Sequence, residues 1–226
     1  MSYYMWMILL FAVAINGRTI PRNPLEKNIL SFLTKWQADV LSIPSLKSLK
    51  IPPVQYNYQG RGIKMDYSIG DMELTGLNQF SIENIAASEK TLEVSLTLLF
   101  PVLTLRSEHY KLYGRAYYVY PLRGSGKMNI VFRNSIITAT VRFTSDGGGT
   151  RIQDFLLNFD VKEIEADLEN SSWPINTLLN TEGAQILEEY YSTIVEALWD
   201  YVVPTVNDYL LEVPPSRLLQ IIVHSE

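Results

Sequence analysis

Between about Ile51 and Leu168 the chain alternates apolar and polar residues with a period of two, and no helical stretch interrupts the alternation. Leu92, Val94, Leu96 and Leu98 interleave with Glu93, Ser95 and Thr97. Met65, Tyr67 and Ile69 alternate in the same way, as do Phe155, Leu157, Phe159 and Val161. Parallel strands need long crossover connections, usually helices, so an unbroken run of this kind dictates an antiparallel sheet. Turn residues punctuate it at Gly60-Arg61-Gly62, Gly124-Ser125-Gly126 and Asp146-Gly147-Gly148-Gly149. The parity of the apolar positions also changes. Tyr67 and Ile69 are odd but Met72 and Leu74 even; Ile130 and Phe132 are even but Ile137, Ala139, Val141 and Phe143 odd. Bulges flip the inward face in this way and bend the strands. The sheet is therefore expected to curl, and its concave face must be covered.

Helical periodicity flanks the sheet. Asn23-Pro24-Leu25-Glu26 combines a capping asparagine, a first-turn proline and the glutamate of a capping box. Leu25, Ile29, Phe32, Leu33, Trp36 and Val40 follow at helical spacing, predicting an amphipathic helix that ends before Pro44. At the other end Ile186, Leu187, Tyr190, Tyr191, Ile194, Val195, Leu198, Trp199, Val202, Val203, Val206, Tyr209 and Leu210 form a wide apolar stripe. One helix from about Thr181 to Leu211 would be roughly 46 Å long at 1.5 Å per residue. Pro204 is expected to kink it, because its ring clashes with the carbonyl of Asp200. The expected fold is α+β: a long, strongly curved antiparallel sheet wrapped around a long C-terminal helix, with a shorter N-terminal helix.

Residues 1–17, MSYYMWMILLFAVAING, hold an apolar core, Trp6–Ile15, too short to span a bilayer but of signal-peptide length. Cleavage is expected after Ala14 or Gly17, leaving residues 18–226 as one secreted, extracellular domain. The net charge is −5 and no basic patch stands out, which excludes nucleic acid as a partner class. With no cysteine, thiol catalysis and Cys-ligated metals are excluded. Asn170-Ser171-Ser172 is a glycosylation sequon, with Asn170 as the acceptor.

No catalytic constellation stands out in the sequence. The two histidines, His109 and His224, read as structural or surface residues, and no spacing suits a metal. Gly124-Ser125-Gly126-Lys127 lacks the interval and following hydroxyl of a phosphate loop, and is not a nucleophile elbow. It reads as a turn. Glu163 and Glu165 share one strand face and read as a solvated pair. The chain is expected to be no enzyme, with no catalytic residues, metal or cofactor.

Several blocks resemble the insect takeout and juvenile-hormone-binding protein family, within the tubular lipid-binding superfamily. They are Ile43-Pro44-Ser45-Leu46; Leu74-Thr75-Gly76-Leu77-Asn78-Gln79-Phe80-Ser81-Ile82; Tyr110-Lys111-Leu112-Tyr113-Gly114 with Pro121-Leu122-Arg123-Gly124-Ser125-Gly126; and Asn176-Thr177-Leu178-Leu179-Asn180. Their order spans almost the whole chain beyond the first segment. The resemblance implies a curved sheet around a long helix, and a secreted carrier, in haemolymph or another extracellular fluid. Its implied ligand is juvenile hormone, another terpenoid, a carotenoid or a fatty acyl chain. A carotenoid-holding pigment or storage protein is the alternative, and the expected state is a monomer. Family members usually carry an N-terminal disulfide that ties down the first helix; this chain has no cysteine to make it. The 14 tyrosines supply apolar rings with polar tips. Tyr113, Phe132, Tyr190, Tyr191, Ile194 and Leu198 are the expected ligand contacts.

Overall fold

The computed structural model describes residues 21–40, 45–60, 62–117, 119–146 and 148–214. Helix α1 (Pro24–Gln37) precedes strands β1 (Ser48–Ile51), β2 (Val54–Gly60), β3 (Ile63–Ile69), β4 (Met72–Thr75) and β5 (Ser81–Ser88). Three long strands follow, β6 (Glu93–Ala116), β7 (Tyr120–Asp146) and β8 (Gly149–Leu168), then helices α2 (Ile175–Glu189) and α3 (Tyr191–Leu210). The eight strands form one sheet whose pairings are all antiparallel, as the uninterrupted alternation requires. Strand β6 is the spine. Along one edge it carries β5, β4 and β3 in succession, and along the other it pairs with β7, which pairs with β8.

The parity changes have two distinct causes. One is the expected bulge. On β6 the register slips between Ser107 and Tyr110, and on β7 against β8 between Arg142 and Phe143. The other involves no slip. Leu103, Phe132 and Ile164 form one inward row across β6, β7 and β8, while Phe100, Ser135 and Val161 form the next. These rows lie three residues apart in every strand, yet the register is unchanged across them. All three strands thus step by one residue together, along the line Pro101–Asn134–Lys162. Pro101 cannot donate to the ladder, and Asn134 takes the left-handed backbone, φ 49°.

Gly124–Gly126 is not a turn, as the sequence suggested, but part of β7 opposite Tyr110–Leu112. The buried Tyr110 ring lies against Gly124, where a Cβ would collide with its hydroxyl. That hydroxyl donates to the carbonyl of Glu169 at 2.6 Å. The two glycine-bearing blocks singled out in the sequence are therefore one cross-strand structure: an aromatic ring laid over glycine. Burial of Tyr110, reinforced by the nearby Glu169 and Asp167, pushes its phenol above the ordinary tyrosine pKa.

Helix α1 caps one core cluster. Leu25, Ile29 and Leu33 bury their side chains with Phe80, Ile85, Phe100 and Leu103, and Phe32 and Trp36 pack against them. Asn23 caps the helix, its Oδ1 accepting from the Glu26 amide at 2.9 Å, and its Nδ2 donates to the carbonyl of Ala87 at 3.0 Å. The buried Glu26 accepts from the Ala87 amide at 3.3 Å. At the far end Gln37 donates to the carbonyl of Phe80 at 2.7 Å. Polar contacts at both ends thus fasten the helix to β5 and the segment before it, with no disulfide. Val40, included in the apolar stripe by spacing, falls past the helix end and is exposed.

The C-terminal helical segment starts earlier than expected and is divided at Tyr190 (φ −97°, ψ 9°). Helix α3 continues through Pro204 without ending there. The proline is exposed, while Val203 beside it is buried and Asn207 is bonded to β8 at Ile152. Tertiary contacts therefore hold the turn that the proline weakens.

Candidate functional site

Helices α2 and α3 run along β8 in the direction opposite to it. An uncovered strand edge leaves main-chain groups unpaired, and here asparagines meet them. Asn176 Oδ1 accepts from Leu168 N at 3.0 Å while its Nδ2 donates to Leu168 O at 3.3 Å. Asn180 does the same for Ala166, at 2.5 and 3.3 Å. Four helical residues rise about 6.0 Å and two strand residues about 6.6 Å, so an Asn-x-x-x-Asn spacing matches alternate positions on the edge. Asn207 Oδ1 accepts from Ile152 N at 2.6 Å further along. Gly183 lets the α2 backbone come close to β8; a Cβ there would stand 3.2 Å from Ile164.

Between these fastenings the chain bends, and consecutive tyrosines reach opposite margins of the sheet. Tyr190 meets Tyr58 of β2, with their hydroxyls 3.2 Å apart and their rings edge to face at 6.5 Å. Tyr191 donates to the Leu157 carbonyl of β8, and its ring packs on Phe159 at 5.3 Å.

Below this elbow lies a cleft of about 830 Å³, lined by Asn158, Phe159, Asp160, Val161, Ala184, Gln185, Leu187, Glu188 and Tyr191. Its size falls within the range of small-molecule sites. An apolar strip extends from it beneath α3. Ala139, Val141, Phe155, Leu157, Phe159 and Val161 share the inward face, are half-buried, and belong to neither core cluster. Trp199 packs on Phe155 at 6.2 Å. The second cluster, Met72, Tyr110, Met128, Ala166, Leu168 and Ile175, closes the sheet at the α2 end. The strip is thus apolar surface flanked by packed cores.

Of the residues expected to contact a ligand, Tyr191 lines the cleft and Tyr190 sits at the elbow, turned to β2. Phe132 packs against the α1 cluster. Tyr113 is exposed on β6 beneath the Arg123 guanidinium, 5.6 Å from its ring, and is not brought together with the others. Ile194 and Leu198 stand on α3, but their side chains lie outside the described residues. The sequence reading missed Phe159, Val161, Ala184 and Leu187. The alternation identified the first two as inward-facing, but only the packing of α2 on β8 makes them a cleft wall. Asn170 is exposed, with φ 53°. Among the described residues no group of acidic side chains and histidines is gathered as for a metal, and no helix is long and apolar enough to cross a membrane.

The sequence profile of the haemolymph juvenile hormone binding protein (JHBP) family matches residues 27–220. The chain belongs to the JHBP family. Members are non-catalytic carriers of hydrophobic small molecules, and this JHBP-family chain is one at that level of description. Among solved structures it is similar to Takeout 1 of Epiphyas postvittana, at 19% identity and a TM-score of 0.62, covering 85% of this chain and 93% of that one. That likeness shows the fold. A lipopolysaccharide binding protein is more distantly similar, at 10% identity and a TM-score of 0.35, over 88% of this chain and 38% of the other. No curated protein sequence matches the chain.

Proposed function

We propose that this JHBP-family chain is a secreted, monomeric carrier that encloses juvenile hormone or a related terpenoid or lipid between the curved sheet and α3. The observation that carries the reading is the half-buried apolar strip, Ala139, Val141, Phe155, Leu157, Phe159 and Val161, opening into the elbow cleft. A terpenoid burying about 400 Å² would gain on the order of 10 kcal/mol before association and ordering costs. Nanomolar to micromolar binding is then reachable without strong polar contacts. The proposed route to the extracellular fluid is cleavage after Ala14 or Gly17, leaving one domain from residue 18.

Native mass spectrometry of the protein from its natural source tests the reading. A bound lipophile of a few hundred daltons is expected. Ligand-free protein that also takes up no terpenoid, fatty acid or carotenoid would overturn it. A visible absorption band on the purified protein would instead favour a carotenoid as the cargo. N-terminal sequencing of the same material checks the cleavage site.

A further inference from the structure

Ser135 is 1% exposed, and its Oγ has no hydrogen-bond partner among the described residues. Buried hydroxyls are nearly always partnered, because an unmet donor forfeits its hydration. Other hydroxyls on β6 and β7 obey this rule. Ser95 pairs with Thr140 at 2.8 Å, Thr97 with Thr138 at 3.1 Å, and Ser107 donates to the His109 carbonyl at 3.1 Å. Ser135 follows the left-handed Asn134 at the line where the strands step, opposite Phe100 on β6 and Val161 on β8. Alternation puts it on the inward face with Ile137 and Ala139. Cross-strand neighbours stand about 5 Å apart at Cβ. Ser135 is therefore one side chain in from the cleft wall formed by Val161.

We infer that Ser135 is the polar anchor of the ligand site: its hydroxyl donates to an uncharged oxygen of a lipid lying along the strip, such as an ester, ketone, ether or alcohol. The inference rests on the carrier reading above. Charge argues for an uncharged acceptor. The cleft lining includes two carboxylates and no lysine or arginine; Asp160 lies on the outward face of β8, paired with Lys162 at 2.5 Å, so Glu188 is the carboxylate that a ligand anion would meet. A ligand carboxylate would meet like charge there, whereas a neutral oxygen accepts from Ser135 without that opposition. The six strip residues themselves, Ala139, Val141, Phe155, Leu157, Phe159 and Val161, carry no donor side chain, so the Ser135 hydroxyl fixes where the oxygen sits and the strip takes the chain by apolar contact.

The test uses two probes of matched length, methyl laurate and tetradecane, each displacing a fluorescent apolar dye from the full chain. The unmodified protein is expected to prefer the ester by about three- to tenfold, one hydrogen bond's share of affinity. Ser135→Ala should erase the preference while leaving tetradecane binding unchanged, and Ser135→Cys, with a weaker donor, should fall between. The Ser135→Ala protein should unfold at the same or higher denaturant concentration, because a partnerless hydroxyl has been removed. An ester preference that survives Ser135→Ala, or an equal loss for both probes, would overturn the anchor. If the unmodified chain binds neither probe, the carrier reading falls and takes the anchor with it.

Discussion

Asparagines 176 and 180 hold the last strand edge in the way a ninth strand would, and their removal should be measurable. Asn180→Ala deletes two hydrogen bonds and leaves the amide and carbonyl of Ala166 unmet. At about 0.5–1.5 kcal/mol net per bond, the cost is about 1–3 kcal/mol, against a total stability of roughly 5–15 kcal/mol for a domain. Asn176→Ala should cost the same through Leu168. The two positions share one edge, so their effects need not add. Asn180→Asp is the sharper probe, because it keeps shape and acceptor but turns the donor into an anionic oxygen facing the Ala166 carbonyl. It should be at least as harmful as alanine at neutral pH and should recover as pH falls and the new carboxyl regains a proton. Urea unfolding followed by tryptophan fluorescence gives the energies, and amide exchange at Ala166 and Leu168 gives the location. If Asn180→Ala and Asn180→Asp both unfold within about 0.5 kcal/mol of the parent, and Ala166 stays protected, the edge-capping account is wrong.

Other expectations follow from the same contacts. Asn23→Ala removes both the cap of α1 and its bond to Ala87 and should cost about 1–2 kcal/mol, seen as a lower urea midpoint. Gly114→Ala drives a Cβ into the Lys64 carbonyl of the adjoining strand; the obstacle is backbone, so a loss of about 3 kcal/mol is expected in the same assay. Tyr110 has a raised folded pKa, so its contribution is complete below the unfolded value of 10.0 and is lost as pH rises through the folded one. Tyr110→Phe should therefore flatten the alkaline limb of the stability profile while lowering neutral stability by about 1 kcal/mol for the bond to Glu169. Glu188→Gln should improve binding of a fatty acid anion up to fivefold, on the order of 1 kcal/mol of removed repulsion, with methyl ester binding unchanged.

What the sequence disclosed was mostly local or periodic. Asn23, Pro24 and Glu26 declare the start of α1 because the cap is made within four residues, and the alternation from Ile51 to Leu168 declares an antiparallel sheet. What it hid depends on distant partners. Gly124 and Gly126 look like a turn until Tyr110 pairs with Gly126 across the ladder and lays its ring against Gly124. Pro204 predicts a kink in the last helix, and α3 runs on through it, held on both sides; the division of the helical segment falls instead at Tyr190, whose partner Tyr58 lies 132 residues away in sequence. Asn176 and Asn180 stood out only as part of a family block; their task becomes apparent once β8 has an unpaired edge beside them. Ser135 was the least visible, since a serine within an alternating strand gives no sign of whether its hydroxyl finds a partner.

The fastening of α1 by Asn23, Glu26 and Gln37 changes the chemistry on which closure depends. A helix held by a disulfide closes at a rate and potential set by its oxidising surroundings, and a reductant can release it. A chain of 226 residues with no cysteine has no such dependence. Its first helix is held to β5 and Phe80 by hydrogen bonds and apolar packing that are the same in a reducing or an oxidising compartment, and thiol exchange with other proteins cannot trap it. Release of α1 therefore requires breaking hydrogen bonds and apolar contacts, not reducing a covalent bond.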